Sequence, residues 1–282
     1  MHRVLRICLF VSAMQLAFAG TSLAQQVYYT SEPGMSVNLL NLSTGVNQEL
    51  LSTAGINGKL DSVILNAQGQ IIYSIPILGQ VWLFDPTTKL NTMLTGAVPY
   101  VRDLVIEPGG ETMLMALNAQ GMIKRYNFAT GAVTLLVKKL GSVDGLVYDP
   151  SGQLFAVVDR NQVCQVDPSA GTLLKCIVLE PHYLTNGGDG MTYDAYTGHL
   201  WVSHDGTLGN GLIEIPTDLS TFTLYQTGNI RVPDGIVSDG KGNLYIGVAL
   251  AWVTEYNIPS NTVVKSVKAP GCDDVVLVPG TY

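Results

Sequence analysis

The chain alternates short runs of β-branched and aromatic residues with polar, glycine-rich breaks. The breaks fall about every ten residues, and no apolar stripe recurs at helical spacing, so the pattern predicts strands throughout. The runs group into copies of one unit. Its clearest copy is Val143-Asp144-Gly145-Leu146-Val147-Tyr148-Asp149-Pro150-Ser151-Gly152-Gln153-Leu154-Phe155-Ala156-Val157. Pro233-Asp234-Gly235 leads in the same way to Gly242-Asn243-Leu244-Tyr245-Ile246, and Gly188-Asp189-Gly190 leads to Gly198-His199-Leu200-Trp201-Val202. Weaker copies open at Leu60-Asp61-Ser62 and Val101-Arg102-Asp103. A sixth, Cys272-Asp273-Asp274-Val275-Val276-Leu277, stops after one strand.

A second landmark follows each copy: a turn of Asp/Asn-Pro-Thr-Gly type at Asp85-Pro86-Thr87, Asn127 to Gly131, Asp167 to Gly171, Pro216-Thr217-Asp218 and Asn257 to Asn261. The same turn stands near the start as Asn41-Leu42-Ser43-Thr44-Gly45, with no opening strand before it. The C-terminal copy has an opening strand and no turn, so the two ends complete one unit. A repeat of roughly 40 to 45 residues with four short strands is the signature of a β-propeller blade. The fold class expected is all-β: a six-bladed propeller whose last blade joins a C-terminal inner strand to N-terminal outer strands, leaving no open edge. Topology then sorts residues by face. The inner-strand starts share face one with the turns between second and third strands, and the Asp-Pro-x-Thr-Gly turns lie on face two.

Composition narrows the class. With 47% hydrophobic residues in 282, the chain can bury a core, which excludes disorder. Fifteen Lys+Arg against 22 Asp+Glu leave a net charge of −7 and no basic run, so nucleic acid is not an expected partner. Residues 1–24 read as a secretory signal, with His2, Arg3 and Arg6 before an apolar run from Ile7 through Phe18. Cleavage sites fit after Ala17-Phe18-Ala19 and after Ser22-Leu23-Ala24. The second leaves 25–282 as the propeller, secreted or periplasmic and without a membrane span. Export makes disulfides possible. Cys164 and Cys176 flank Asp167-Pro168-Ser169-Ala170-Gly171 and would face each other on a hairpin, either as a cross-strand disulfide or as two small buried thiols. Cys272 is the odd thiol, and the cysteine spacing does not suggest zinc.

The repeat carries candidate chemistry on face one. Asp61, Arg102, Asp144, Asp189, Asp234 and Asp273 ring the channel mouth. Converging carboxylates must be protonated, solvated or neutralised by a cation, and an all-oxygen set suits calcium, magnesium or manganese. The alternative is that each Asp forms a local turn. His182 and His204, in enlarged face-one loops, are candidates for a general base or a ligand, or are simply solvated. Arg102 either bridges a neighbouring Asp or recognises a substrate anion. Trp252 would supply an apolar wall, and Asp159-Arg160-Asn161 adds a polar cluster.

Pro233-Asp234-Gly235-x-x-x-Asp239-x-x-Gly242-x-Leu244-Tyr245-Ile246 resembles the blade motif of six-bladed propellers of the senescence-marker/gluconolactonase group and of the related NHL-repeat proteins. The resemblance implies a divalent metal at the mouth held by Asp61, Asp189 and Asp234, with Asp234 as base and Asp144 facing substrate. The sequence departs from the group's pattern: Asp61 stands for a Glu, and Asp189 and Asp144 replace neutral amides. Extra anionic ligands would make the ion a weaker Lewis acid.

The leading expectation is a secreted propeller that binds a divalent cation and a small polar ligand at the channel. As an enzyme it would be a metal-dependent ester or lactone hydrolase: Asp61, Asp189 and Asp234 hold the ion, Asp234 or His204 activates water, and Arg102, Asp144, His182 and Trp252 contact substrate. The alternative is a non-catalytic propeller that binds an extracellular protein or glycan. An elimination-type lyase would rest on the fold and one loop histidine alone.

Overall fold

The computed structural model describes residues 25–56, 58–179, 187–206, 210–228, 230–248 and 251–282. The expected signal segment and His182 lie outside these residues. Blade one contains β1 (Gln26–Ser31), β2 (Ser36–Asn41) and β3 (Asn47–Ser52). Blade two is β4 (Val63–Leu65), β5 (Ile71–Ile75), β6 (Gln80–Phe84) and β7 (Asn91–Thr95). Blade three is β8 (Val101–Ile106), β9 (Thr112–Leu117), β10 (Met122–Asn127) and β11 (Val133–Lys138). Blade four is β12 (Val143–Tyr148), β13 (Leu154–Val158), β14 (Gln162–Asp167) and β15 (Thr172–Val178). Blade five is β16 (Gly188–Asp194), β17 (His199–His204), β18 (Gly211–Pro216) and β19 (Thr223–Tyr225). Blade six is β20 (Pro233–Ser238), β21 (Asn243–Val248), β22 (Trp252–Asn257) and β23 (Thr262–Lys268). The final strand, β24 (Cys272–Leu277), pairs antiparallel with β1 and becomes the inner strand of blade one. The inner strands touch in the cycle β24, β4, β8, β12, β16, β20 and back to β24, so the six sheets form a closed toroid.

In blades two, three, four and six the second strand is apolar at nearly every position because both of its sides are buried. In β13, Leu154, Ala156 and Val158 pack toward blade three, while Phe155 and Val157 pack toward blade five. In β9, Met113, Met115 and Leu117 face blade two, while Leu114 and Ala116 face blade four. The core is accordingly divided into six clusters, one between each pair of neighbouring blades.

The turn chemistry read from the sequence is present on face two. Asp85 Oδ1 accepts the Thr87 N–H at 2.8 Å, Asn127 Oδ1 that of Thr130 at 2.9 Å, and Asp167 Oδ1 that of Ser169 at 2.7 Å. Of the two alternatives for the cysteines, the disulfide holds: Cys164 and Cys176 are direct cross-strand partners and are bonded. Cys272 is a buried free thiol.

Candidate functional site

The mouth is built at the starts of the inner strands, where in every blade but the second the pairing between inner and second strand slips. The slips lie between Val101 and Asp103, Val143 and Leu146, Gly188 and Met191, and Pro233 and Ile236, with another in blade one between Tyr29 and Ser31. A bulge of this kind bends the strand and re-aims one side chain out of the ladder. In those five blades the residue re-aimed is the second of the repeat copy; together with Asp61, which stands two residues before β4, this brings Arg102, Asp144, Asp189, Asp234 and Asp273 into one network across blade boundaries.

Two of the chain's own arginines meet much of this acid. Arg102 of blade three donates from Nη1 to Asp61 Oδ2 of blade two at 2.6 Å. Arg160 lies 3.3 Å from Asp144 Oδ1 and 3.5 Å from Asp189 Oδ2, bridging blades four and five. Arg160 projects from the tight turn between β13 and β14, where both Asp159 and Arg160 adopt left-handed backbone (φ 52° and 55°). That turn is fixed from both ends: Asp159 Oδ1 accepts the Ser142 N–H at 2.8 Å, and the Arg160 carbonyl accepts that of Gly188 at 2.7 Å. Asp144 also accepts from Asn118 Nδ2 at 2.6 Å. Asp234 and Asp273 hydrogen-bond to each other, and among the described residues no ion pair reaches either.

Burial dominates the protonation of the ring. It pushes the Asp61 carboxyl up to about 7 despite the opposing pull of Arg102. Asp234 is likewise pushed up to about 7, with the hydrogen bond from Asp273 working the other way. Burial, and then the negative charge of Asp234, hold both Asp189 and Asp273 well above the usual carboxylate range. Asp144 is raised by burial against the pull of Arg160. Burial also works against the Arg160 guanidinium, but Asp189 and Asp144 keep its pKa above the ordinary arginine value.

A second tier lies one residue deeper, occupied by Asp274, Ser62, Asp103, Gly145, Gly190 and Gly235 from blades one to six. On one side of the toroid carboxylates staple neighbouring blades: Asp274 Oδ2 accepts the Val63 N–H at 2.8 Å, and Asp103 Oδ2 that of Leu146 at 2.6 Å. On the other side glycines let backbones touch. A Cβ on Gly145 would sit 2.6 Å from the Asp189 carbonyl oxygen, and one on Gly190 2.8 Å from that of Asp234. Gly145→Ala is therefore expected to cost about 1–3 kcal/mol by forcing blades four and five apart. Denaturant midpoints check it; an unchanged midpoint would show that the blades can separate freely. Below this tier is a cavity of about 250 Å³ lined by Ile64, Val105, Leu146, Met191, Ile236 and Val276 among others.

The remaining expected site residues fall elsewhere. His204 ends β17, paired to Gly188 and Gly211, and is fully buried, with Nδ1 3.4 Å from the Gly206 N–H. A loop position reads as exposed, but the strand runs two residues further, through Ser203 and His204, than the sequence suggests. Trp252 is 42% exposed on face one at the start of β22. It lies two strands out from the channel, roughly 10 Å from the inner strand, so it belongs to the rim rather than to the wall of the mouth. Arg160, Asp103, Asp274 and Asn118 join the network without having been singled out as site residues; only the polar turn Asp159-Arg160-Asn161 signalled one of them.

A divalent ion at Asp61, Asp189 and Asp234 would need three free carboxylates converging on a point. As they stand they do not fit one: Asp61 is held by Arg102, Asp189 by Arg160 and Asp234 by Asp273. Among the described residues no three His, Cys, Asp or Glu side chains are grouped to hold a metal ion.

No family model matches the sequence, and no curated protein is similar to it. Solved structures similar to it include a chain of a nidogen/laminin complex, with 11% identity and a TM-score of 0.75 over 90% of this chain and 98% of that one. Virginiamycin B lyase from Staphylococcus aureus is similar at 12% identity and a TM-score of 0.64, covering 89% and 85% of the two chains. A protein of unknown function from Bacteroides caccae is similar at 12% identity and a TM-score of 0.66, covering 91% and 99%. Likeness at these identities is likeness of fold, and by its own closed cycle of sheets the chain is a six-bladed β-propeller.

Proposed function

We propose that this protein is an exported, non-catalytic binding propeller whose face-one mouth receives a positively charged group of an extracellular ligand. One observation carries the reading: half-buried Asp234 and buried Asp273 hydrogen-bond to each other and are reached by no ion pair among the described residues. A guest ammonium or guanidinium there displaces the shared proton and gains a charge-assisted contact in a water-poor site. Since Asp234 loses its proton at about 7, binding tightens as pH rises through neutrality. Export is supported by the apolar leader and by the Cys164–Cys176 disulfide.

The test is a thermal-shift titration with n-butylammonium and agmatine, beside calcium, manganese and magnesium. Both organic cations are expected to stabilise the protein more at about pH 8 than at about pH 5.5. Asp234→Asn with Asp273→Asn is expected to weaken them at least about tenfold. No stabilisation by either cation would overturn the reading.

A second reading, metal-dependent ester or lactone hydrolysis, is favoured by the neutral-range proton of Asp234, the position that the gluconolactonase-group resemblance assigns to the base. It requires Arg102 and Arg160 to release their carboxylates. Divalent-ion stabilisation lost in Asp61→Asn with Asp189→Asn would establish the metal site, and its absence would remove it.

A further inference from the structure

Two apolar patches flank the acidic mouth on face one. Ile56, Ile77, Leu78 and Tyr100 form the first, at blades two and three, with Ile77 73% exposed. They are presented by a stiff corner: Gly79 N–H bonds the Pro76 carbonyl at 3.1 Å, Tyr100 N–H bonds the same carbonyl at 2.9 Å, and Val98 N–H bonds Gly79 at 3.1 Å. Ile56 belongs to the same corner, since a Cβ on Gly58 would touch both Ile75 and Ile56. Val232 and Trp252, both exposed, form the second patch on blade six, joined through the cross-strand pairs Pro233–Val248 and Val248–Trp252.

Tyr100 and Val232 occupy equivalent positions, each immediately before the first residue of an inner strand, and both have left-handed backbone (φ 61° and 50°). Blade one fills the same position with Gly271 (φ 76°), the residue that adopts this conformation without a steric cost. A β-branched valine at positive φ is disfavoured, and folding does not ask for it. Both residues nonetheless hold large apolar side chains half out in solvent, 49% and 51% exposed.

We propose that face one docks a protein segment in which a lysine or arginine, seated in the mouth, is flanked by apolar side chains that cover the two patches. The inference rests on the mouth reading above and names the partner. Charge complementarity selects a basic residue for a ring in which carboxyls outnumber guanidinia. The exposed aliphatic and aromatic side chains select apolar neighbours, which a neutral glycan lacks.

The test selects randomised displayed peptides on the immobilised, exported full chain and measures the winners by fluorescence polarisation. Enrichment of sequences with one fixed Lys or Arg and apolar residues close on both sides is expected. Tyr100→Gly combined with Val232→Gly relieves the left-handed strain, so its thermal midpoint is expected to stay or rise, while affinity for selected peptides falls at least about tenfold. The same variant is expected to retain n-butylammonium binding. Selected peptides without apolar neighbours, or equal affinity for the glycine variant, would overturn the docking inference and leave the mouth reading standing. Peptides without a basic residue, or no enrichment at all, would overturn both steps of the inference, and loss of n-butylammonium stabilisation in wild type would sink the mouth reading itself.

Discussion

Replacing Arg160 with glutamine is expected to cost about 3–5 kcal/mol of stability at about pH 8, the range for removing one partner of a buried ion pair, and much less at about pH 5. Arg160 is the near cation for both Asp144 and Asp189, and the Asp144 side chain has no solvent exposure. In the folded protein Asp61 and Asp234 titrate at about 7 and Asp274 at about 6, with Asp189 and Asp273 also raised, against a usual value of 3.8. A carboxyl raised in this way contributes its stability in full below the unfolded value and loses it as pH climbs through the folded value. Wild type is therefore expected to soften between about pH 4 and about pH 7, and the variant more steeply, because a protonated carboxyl needs no counter-ion. Thermal midpoints across a pH series check this. A loss of equal size at both ends of the series would show that Arg160 acts by packing and not by charge.

Ending the chain at Gly271 is expected to abolish the cooperative, monomeric fold. The deletion removes Cys272, Val275 and Leu277, all nearly or fully buried, and with them the pairs Val27–Leu277, Tyr28–Val276 and Tyr29–Val275. At about 1.5–3 kcal/mol per buried apolar side chain the loss rivals a whole domain's typical margin of about 5–15 kcal/mol. It also bares β1, a strand of Val, Tyr and Thr whose unpaired edge invites pairing with other chains. Asp274 goes as well, and with it the staple to Val63 in blade two. Size-exclusion chromatography and a melting curve decide the matter: a monomer with a wild-type transition would mean that blade one closes the ring without its inner strand.

The fold was legible in the sequence because each blade repeats its own local chemistry. Asp and Asn turn residues satisfy nearby backbone N–H groups within a few positions, and such short-range bonds can be read directly from spacing. The acidic ring was legible for the same reason, since its members share one place in the repeat. Its charge compensation was not. Arg102 meets Asp61 across 41 residues, and Arg160 comes from a turn outside the repeated motif and joins carboxylates of two blades. Counting acids marks where positive charge is needed; it does not show that Arg102 and Arg160 supply part of that charge from within the chain. His204 was misjudged for a related reason: whether the last residue before a loop points into a blade or into water depends on strand register, and its pairing to Gly188 and Gly211 encloses it.

The seam between β1 and β24 also fixes an order of events. Gln26 and Thr281, which bond across it, are 255 residues apart. The first strand to leave the ribosome must wait for the last, so every nascent chain is an open arc, and sealing is a long-range pairing of the kind that proceeds slowly. Closure of the ring is therefore expected to be the late, pace-setting step of folding.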